Sequence, residues 1–246
     1  MSYHSLDPGE IIKTLELLYF RISERFPNAG LANVCKELGQ LARDTDKRVA
    51  HIRKPYRFLR LGIVVVMMSG LLAIAYVASI IDYKQDKDNL FGVLQRLEAF
   101  INIIVLMGAA VFFLSTAEAR WKRQIIIGHL HEIRMIVHVI DMHQLTKDPG
   151  ASLKRLSRTP SSPDRTLSPF ELVRYLDYCS EMYALAAKVA LLYAQSSRDS
   201  VIMSALTEIE HITANLSAKV WQKITIIEGI YSADTDTAKL KTLTQQ

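Results

Sequence analysis

LGIVVVMMSGLLAIAYVASII, Leu61 to Ile81, is twenty-one residues without a charge, and its reading decides the fold. At 1.5 Å per residue a helix of this length covers about 31 Å, one hydrocarbon thickness. A second stretch follows at Ala99 to Ala117, AFINIIVLMGAAVFFLSTA, in which only Asn102, Ser115 and Thr116 are polar. A helix buried in a globular core rarely runs so far without a charge. The two stretches are therefore expected to form a transmembrane hairpin over residues 59–117, with a short external loop at 82–98.

The flanks set the orientation. KRVAHIRKPYRFLR precedes the first span and carries Lys47, Arg48, Arg53, Lys54, Arg57 and Arg60 with no acid. EARWKRQ follows the second and carries Arg120, Lys122 and Arg123. The connection holds four acids and three basic residues. Basic ends stay inside, which puts both termini in the cytoplasm of a bacterial inner (plasma) membrane protein that crosses twice. Tyr56, Tyr76, Tyr83 and Trp121 fall at the expected interfaces, where amphipathic rings collect. The six cations before the first span fix topology, hold anionic lipid of the inner leaflet at about 1 kcal/mol each, or do both. No cleavable signal peptide is expected, because MSYHSLDPGEIIKTLELLYF carries acids and lacks a continuous apolar core.

Outside the spans the pattern is helical throughout, and the fold class is all-α: a two-helix membrane hairpin with a cytoplasmic helical bundle. Residues 1–58 read as an amino-terminal helical pair. Asp7-Pro8 starts the first helix, with Ile11, Leu15, Leu18, Ile22 and Phe26 on one stripe. Val34, Leu38, Leu41, Val49 and Ile52 mark the second, which Pro55 is expected to end. Residues 118–145 continue the second membrane helix as one rod, with Ile126, Leu130, Ile133, Val137 and Ile140 on its apolar side. Residues 146–168 are rich in serine, proline and arginine and read as a disordered linker in which Ser157, Thr159, Ser161 and Ser162 are candidate phosphorylation sites. Ser168-Pro169-Phe170-Glu171 is a capping box that opens a helical hairpin over 169–230. The tail 231–246 is polar and expected to be flexible.

The densest functional side chains lie on the rod: His129, His131, Glu132, Arg134, His138, Asp141 and His143. Helical geometry argues against a metal centre within one chain. His143 stands about 140° round the axis from His138, and His131 and His138 are roughly 10 Å apart, whereas zinc ligands lie about 2 Å from one point. What remains is a polar stripe, His131, Arg134, His138 and Asp141. It faces water, faces a symmetry axis, responds to pH, or pairs with Glu208 and Glu210. In the second span Asn102, Ala109 and Thr116 share a face that packs against a helix or lines a pore. Ser69-x-x-x-Ala73, Ala75-x-x-x-Ser79 and Gly108-Ala109-Ala110 are candidate sites of close helix contact.

Composition narrows the function further. The net charge of +5 collects beside the apolar segments rather than on an aromatic-rich face, which favours a membrane surface over nucleic acid. Cys35 and Cys179 have no second cysteine at metal or redox spacing. No phosphate-binding glycine loop, nucleophile elbow, HExxH or kinase signature is present. No cofactor, metal or catalytic residue is expected, and the chain is not read as an enzyme.

VHVIDMHQLTKDP (Val137 to Pro149), RYLDYCSEMYALAAKVALLYAQ (Arg174 to Gln195) and LSAKVWQKI (Leu216 to Ile224) resemble segments of a family of uncharacterised bacterial inner-membrane proteins with two transmembrane helices. The resemblance covers mainly the carboxy-terminal half. It implies a bacterial plasma-membrane location and supplies no activity. The layout also looks like that of two-span effectors of bacterial defence, by architecture alone. The sequence therefore favours a membrane-anchored helical interaction or scaffold module that self-associates or binds a cytoplasmic protein. A homo-oligomeric channel or membrane effector is the alternative, and a membrane enzyme comes last.

Overall fold

The computed structural model describes residues 5–52, 54, 56–80, 90–147, 160, 167–197 and 199–243. Arg53, Pro55, residues 82–89 of the expected external loop and most of the expected linker lie outside them, while residues 90–98 of that loop are helical and belong to the start of the fourth helix. Among the described residues the chain is all helical: α1 (Pro8–Arg25), α2 (Gly30–Ile52), α3 (Arg57–Ile80), α4 (Leu90–Leu145), α5 (Pro169–Ala194) and α6 (Ser200–Leu243). They form two compact units, residues 1–51 with 126–246, and residues 52–125.

The larger unit is a bundle of α1, α2, the end of α4, α5 and α6. Asp7 caps α1 by accepting from the Gly9 N–H at 2.8 Å, and Pro8 sits where no donor is needed. Each apolar stripe read from the sequence on α1, α2 and α4 is buried. Helix α5 opens with the capping box: Glu171 N–H donates to Ser168 Oγ at 3.3 Å and Ser168 N–H to Glu171 Oε2 at 2.8 Å. The spacing of Leu172, Leu176, Cys179, Met182, Ala186, Val189 and Tyr193 marks one apolar seam, and the helix buries far more than that: Tyr175, Tyr178, Tyr183, Leu185, Ala190 and Leu192 join the seam in the core. Two partners explain this: α5 packs on α1 along one side and on α6 along another. Phe26 of α1 meets Tyr175 and Tyr178 edge-on, with ring centroids 5.5 and 6.3 Å apart.

On helix α6 the spacing marks Ile202, Ala205, Ile209, Ile212, Leu216, Val220 and Ile227 as one seam; the helix buries Ile202, Leu206, Ile209, Thr213, Leu216, Val220, Ile224 and Ile227, and Ala205 and Ile212 are only half-buried at its border. Its end departs from expectation. The helix runs on to Leu243 through the residues read as a flexible tail. Gly229 does not adopt the left-handed backbone of a terminating glycine, and the alanines, lysines and leucines beyond it are good helix formers.

The smaller unit is α3 with the first part of α4. Here the large apolar side chains point outward: Phe58, Leu61, Val65, Leu72, Val105, Leu106, Phe112 and Phe113 are all exposed. Hydroxyls on these surfaces turn back onto their own helices, Ser69 to the Val66 carbonyl at 2.9 Å and Ser115 to that of Phe112 at 2.9 Å. Among the described residues one helix is long and apolar enough to cross a membrane. It lies within Leu97–Leu145, and its most apolar window has a mean hydropathy of 2.3 and is 0% buried. The apolar stretch described in α3, Arg60–Tyr76, is shorter.

Candidate functional site

Three of the polar clusters among the described residues hold the side chains singled out by sequence. The first is the end of the hairpin where α3 begins. Tyr56 stacks flat on Trp121, with centroids 5.6 Å apart and planes 5° from parallel. Lys122 Nζ ties the group together: it reaches Glu118 Oε1 at 2.8 Å, donates to the Lys54 carbonyl at 3.1 Å and lies 5.5 Å over the Tyr56 ring. Glu118 also accepts the Tyr56 N–H at 3.3 Å, and these bonds hold its carboxyl below the usual range. Lys54, Arg57, Arg60 and Arg120 stay exposed around the stacked rings.

The second is a network that sequence reading missed. Arg48, grouped by sequence with the lipid-facing cations, sends Nη1 to Glu132 Oε2 at 2.7 Å. Glu132 Oε1 meets His129 Nδ1 at 3.1 Å. The His129 ring stacks on Tyr193, centroids 6.1 Å apart, and Tyr193 OH donates to the fully buried Thr45 Oγ1 at 3.5 Å. Burial pushes the Glu132 carboxyl up, but the bonds from Arg48 and His129 outweigh it and hold it low. Three helices meet in these five residues; spacing links His129 to Glu132 and Thr45 to Arg48, but nothing in the sequence links the three helices to one another. Lys47, one residue before Arg48, remains exposed.

The third is the expected polar stripe on α4, which the structure splits. Its edge residues are tied to the bundle. Arg134 Nη2 donates to Glu208 Oε1 at 2.7 Å, and Asp141 accepts from Gln144 Nε2 at 2.6 Å. Gln144 is buried and in turn receives Lys223 Nζ at 2.7 Å. His131 and His138 stay exposed in the middle. His143 turns inward, its ring carbon 2.8 Å from where a Cβ on Gly30 would stand. Burial and the neighbouring Lys147 hold its imidazole below the ordinary value. Among the described residues no group of three or more His, Cys, Asp or Glu side chains converges for a metal ion.

In the hairpin, close contact falls elsewhere than on the small pairs singled out by sequence. A Cβ on Gly70 would overlap the Met107 sulfur, and one on Gly62 would touch Leu114 at 3.9 Å. Ser69, Ala73, Ala75 and Ser79 are exposed, and a Cβ on Gly108 would meet nothing within 4 Å. Of the expected face, Thr116 spends its hydroxyl on the Phe112 carbonyl at 2.9 Å, while Asn102 and Ala109 are exposed. Asn102 shares an open groove of about 660 Å³ with Leu94, Gln95, Leu97, Glu98 and Ile101.

Both thiols are fully buried, and burial pushes each up to about 12, so at neutral pH they are protonated and inert. No protein-family model, no curated protein and no solved structure matches this chain; the resemblance of its carboxy-terminal half therefore assigns it to no family.

Proposed function

We propose that this protein is a membrane-anchored helical interaction module rather than an enzyme. The hairpin of α3 and α4 crosses the bilayer twice, and the bundle stands with both chain ends on the basic, cytoplasmic side of a plasma membrane. One observation carries the reading. The bundle buries a continuous core of large aliphatic side chains and leaves only scattered ones such as Leu17 and Ile226 exposed, whereas the hairpin turns Leu61, Leu72, Leu106 and Phe113 outward. Water does not tolerate so large an apolar surface, and lipid is the solvent that suits it. The exposed cations Lys54, Arg57 and Arg60 beside the Tyr56–Trp121 stack suit the headgroup layer. The thiols are buried and the His129–Glu132–Arg48 group is bonded into the packing of three helices, which supports reading the bundle as a binding surface, for its own copies or a cytoplasmic protein.

The test is extraction. The full chain is expected to stay in the membrane pellet through an alkaline carbonate wash and to need detergent for release. Release by alkali alone would refute the anchor. A second reading, a homo-oligomeric channel, is favoured by the exposed Asn102 amide on the longer apolar helix. It requires that reconstituted protein conduct ions and that Asn102→Leu alter the conductance.

A further inference from the structure

Helices α1 and α5 pack together, and the end of α1 stands beside the first turns of α5. There Arg21, Glu24 and Arg25 of α1 and Arg174 and Tyr178 of α5 line an open pocket of about 310 Å³, at the low end for a small-ligand site. Spacing gathers them, since Arg21 and Arg25 are one helical turn apart on α1, as are Arg174 and Tyr178 on α5. Two of the guanidiniums are held in position. Arg21 donates through both terminal nitrogens to the Glu181 carboxylate, at 3.2 and 2.5 Å, and its Cζ lies 5.7 Å over the Tyr178 ring. Arg174 Nη1 donates to Asp177 Oδ2 at 3.0 Å. Both keep further N–H donors, because a guanidinium carries five. Arg25 is exposed and has no hydrogen-bond or ion-pair partner among the described residues. Tyr178 is only 4% exposed, and its hydroxyl has no hydrogen-bond partner among the described residues. A hydroxyl so nearly enclosed gains from an acceptor that enters the pocket.

We propose that this pocket binds a phosphate monoester, with Arg25, Arg174 and the Tyr178 hydroxyl donating to its oxygens and Arg21 adding its charge. The lining carries three positive charges and one negative, an excess that matches the roughly −2 of a phosphate monoester at neutral pH. Guanidiniums and a hydroxyl offer donors from several directions, which suits three acceptor oxygens better than the two of a carboxylate. Glu181 and Asp177 subtract charge from the surroundings, and they also fix Arg21 and Arg174 before a ligand arrives, which lowers the ordering cost of binding. The pocket lies wholly within the bundle, so the site stands whether or not the hairpin crosses a membrane. Two sources can deliver the group: a free phosphate ester, or a phosphorylated Ser157, Thr159, Ser161 or Ser162 of the chain itself.

The test is calorimetric titration of the full chain in detergent, treated with phosphatase and freed of phosphate. The probes are inorganic phosphate and phosphoserine blocked at both ends. Saturable binding of one blocked phosphoserine per chain is expected. Arg25→Gln is expected to weaken it about tenfold and Tyr178→Phe about fivefold, the loss of a charged and of a neutral donor. Glu24→Gln is expected to tighten it about threefold by removing the opposing charge, a gain that a structural role would not produce. Arg25 and Glu24 are exposed, so neither change threatens folding. Arg43→Gln, in an exposed pair with Glu16 outside the pocket, is expected to leave affinity unchanged. No saturable binding up to about 10 mM, equal losses at Arg43→Gln and Arg25→Gln, or weaker binding after Glu24→Gln would each overturn the site. Untreated chain tells the sources apart. If it refuses added phosphoserine and carries phosphate at one of residues 157–162 by peptide mass mapping, the occupant is the chain's own phosphate; if it binds as isolated, the occupant is a free ester, and either result supports the pocket.

Discussion

Two buried tyrosines on α5, ten residues apart, have opposite prospects. Tyr193 OH is bonded to Thr45, and its ring carries His129. Tyr183 OH is buried with no partner among the described residues. A buried hydroxyl that bonds contributes about 1 kcal/mol, and one that does not bond costs a comparable amount. Tyr193→Phe is therefore expected to lower the unfolding free energy by about 1 kcal/mol, and Tyr183→Phe to leave it unchanged or raise it by up to about 1 kcal/mol. Denaturant titrations of the two variants in detergent check the contrast, and equal losses would contradict it. His143 makes a pH prediction. Its imidazole is held below the ordinary 6.5 by burial and by Lys147. Below pH 6.5 the unfolded chain takes up a proton that the folded chain still refuses, so stability declines as pH falls through that value until the folded site also protonates. His143→Gln is expected to flatten the fall in melting temperature between pH 7.5 and 5.5. An unchanged slope would place the sensitivity elsewhere.

The helices were legible to the extent that one face of each carries the message. Ile11, Leu15, Leu18 and Ile22 repeat at three and four, and α1 buries that stripe. The capping box at Ser168 announces α5 because its two bonds are local. Local signals say nothing about how many neighbours a helix has, so the second buried side of α5 was invisible. Nor does spacing reveal distance across the fold, which is why Arg48 read as a lipid contact and stands as the partner of Glu132. Small residues misled for a related reason. Ser69 and Ala73 have the right spacing for a helix contact, but Gly62 and Gly70, eight residues apart, are the ones that meet α4. Only the glycine at 70 leaves room for the Met107 side chain. Gly70→Leu is thus expected to pry α3 from α4 and cost about 1–3 kcal/mol, the usual penalty of overpacking. Gly108→Leu, in open space, is expected to leave the hairpin intact. Melting of the two variants in one detergent checks this, and a larger loss at position 108 would reverse the assignment of faces.

At the scale of the whole chain, charge is distributed by task. The net charge is +5, and the cations before α3 divide into two kinds. Arg48 is half-buried, bonded to Glu132 and held fully ionised, its pKa raised by hydrogen bonds to Glu132 and Tyr193 against the opposing effect of burial. Lys54, Arg57 and Arg60 are exposed beside Tyr56 and Trp121. On the proposed membrane reading only the second kind is available to lipid phosphates. Each cation near an anionic leaflet contributes about 1 kcal/mol, close to fivefold in affinity, so replacing all three with glutamine is expected to weaken the preference for phosphatidylglycerol over phosphatidylcholine about a hundredfold at low salt. The loss shrinks at 1 M salt, where the screening length falls to about 3 Å. Arg48→Gln is expected to leave lipid preference untouched and to lower the stability of the bundle instead, since it strips Glu132 of its partner. Lipid competition measured by native mass spectrometry, set beside melting temperature for the same variants, separates the two roles. If Arg48→Gln shifted lipid preference as much as Arg57→Gln or Arg60→Gln, the division would fail, and all the cations flanking α3 would belong to one lipid-facing cluster.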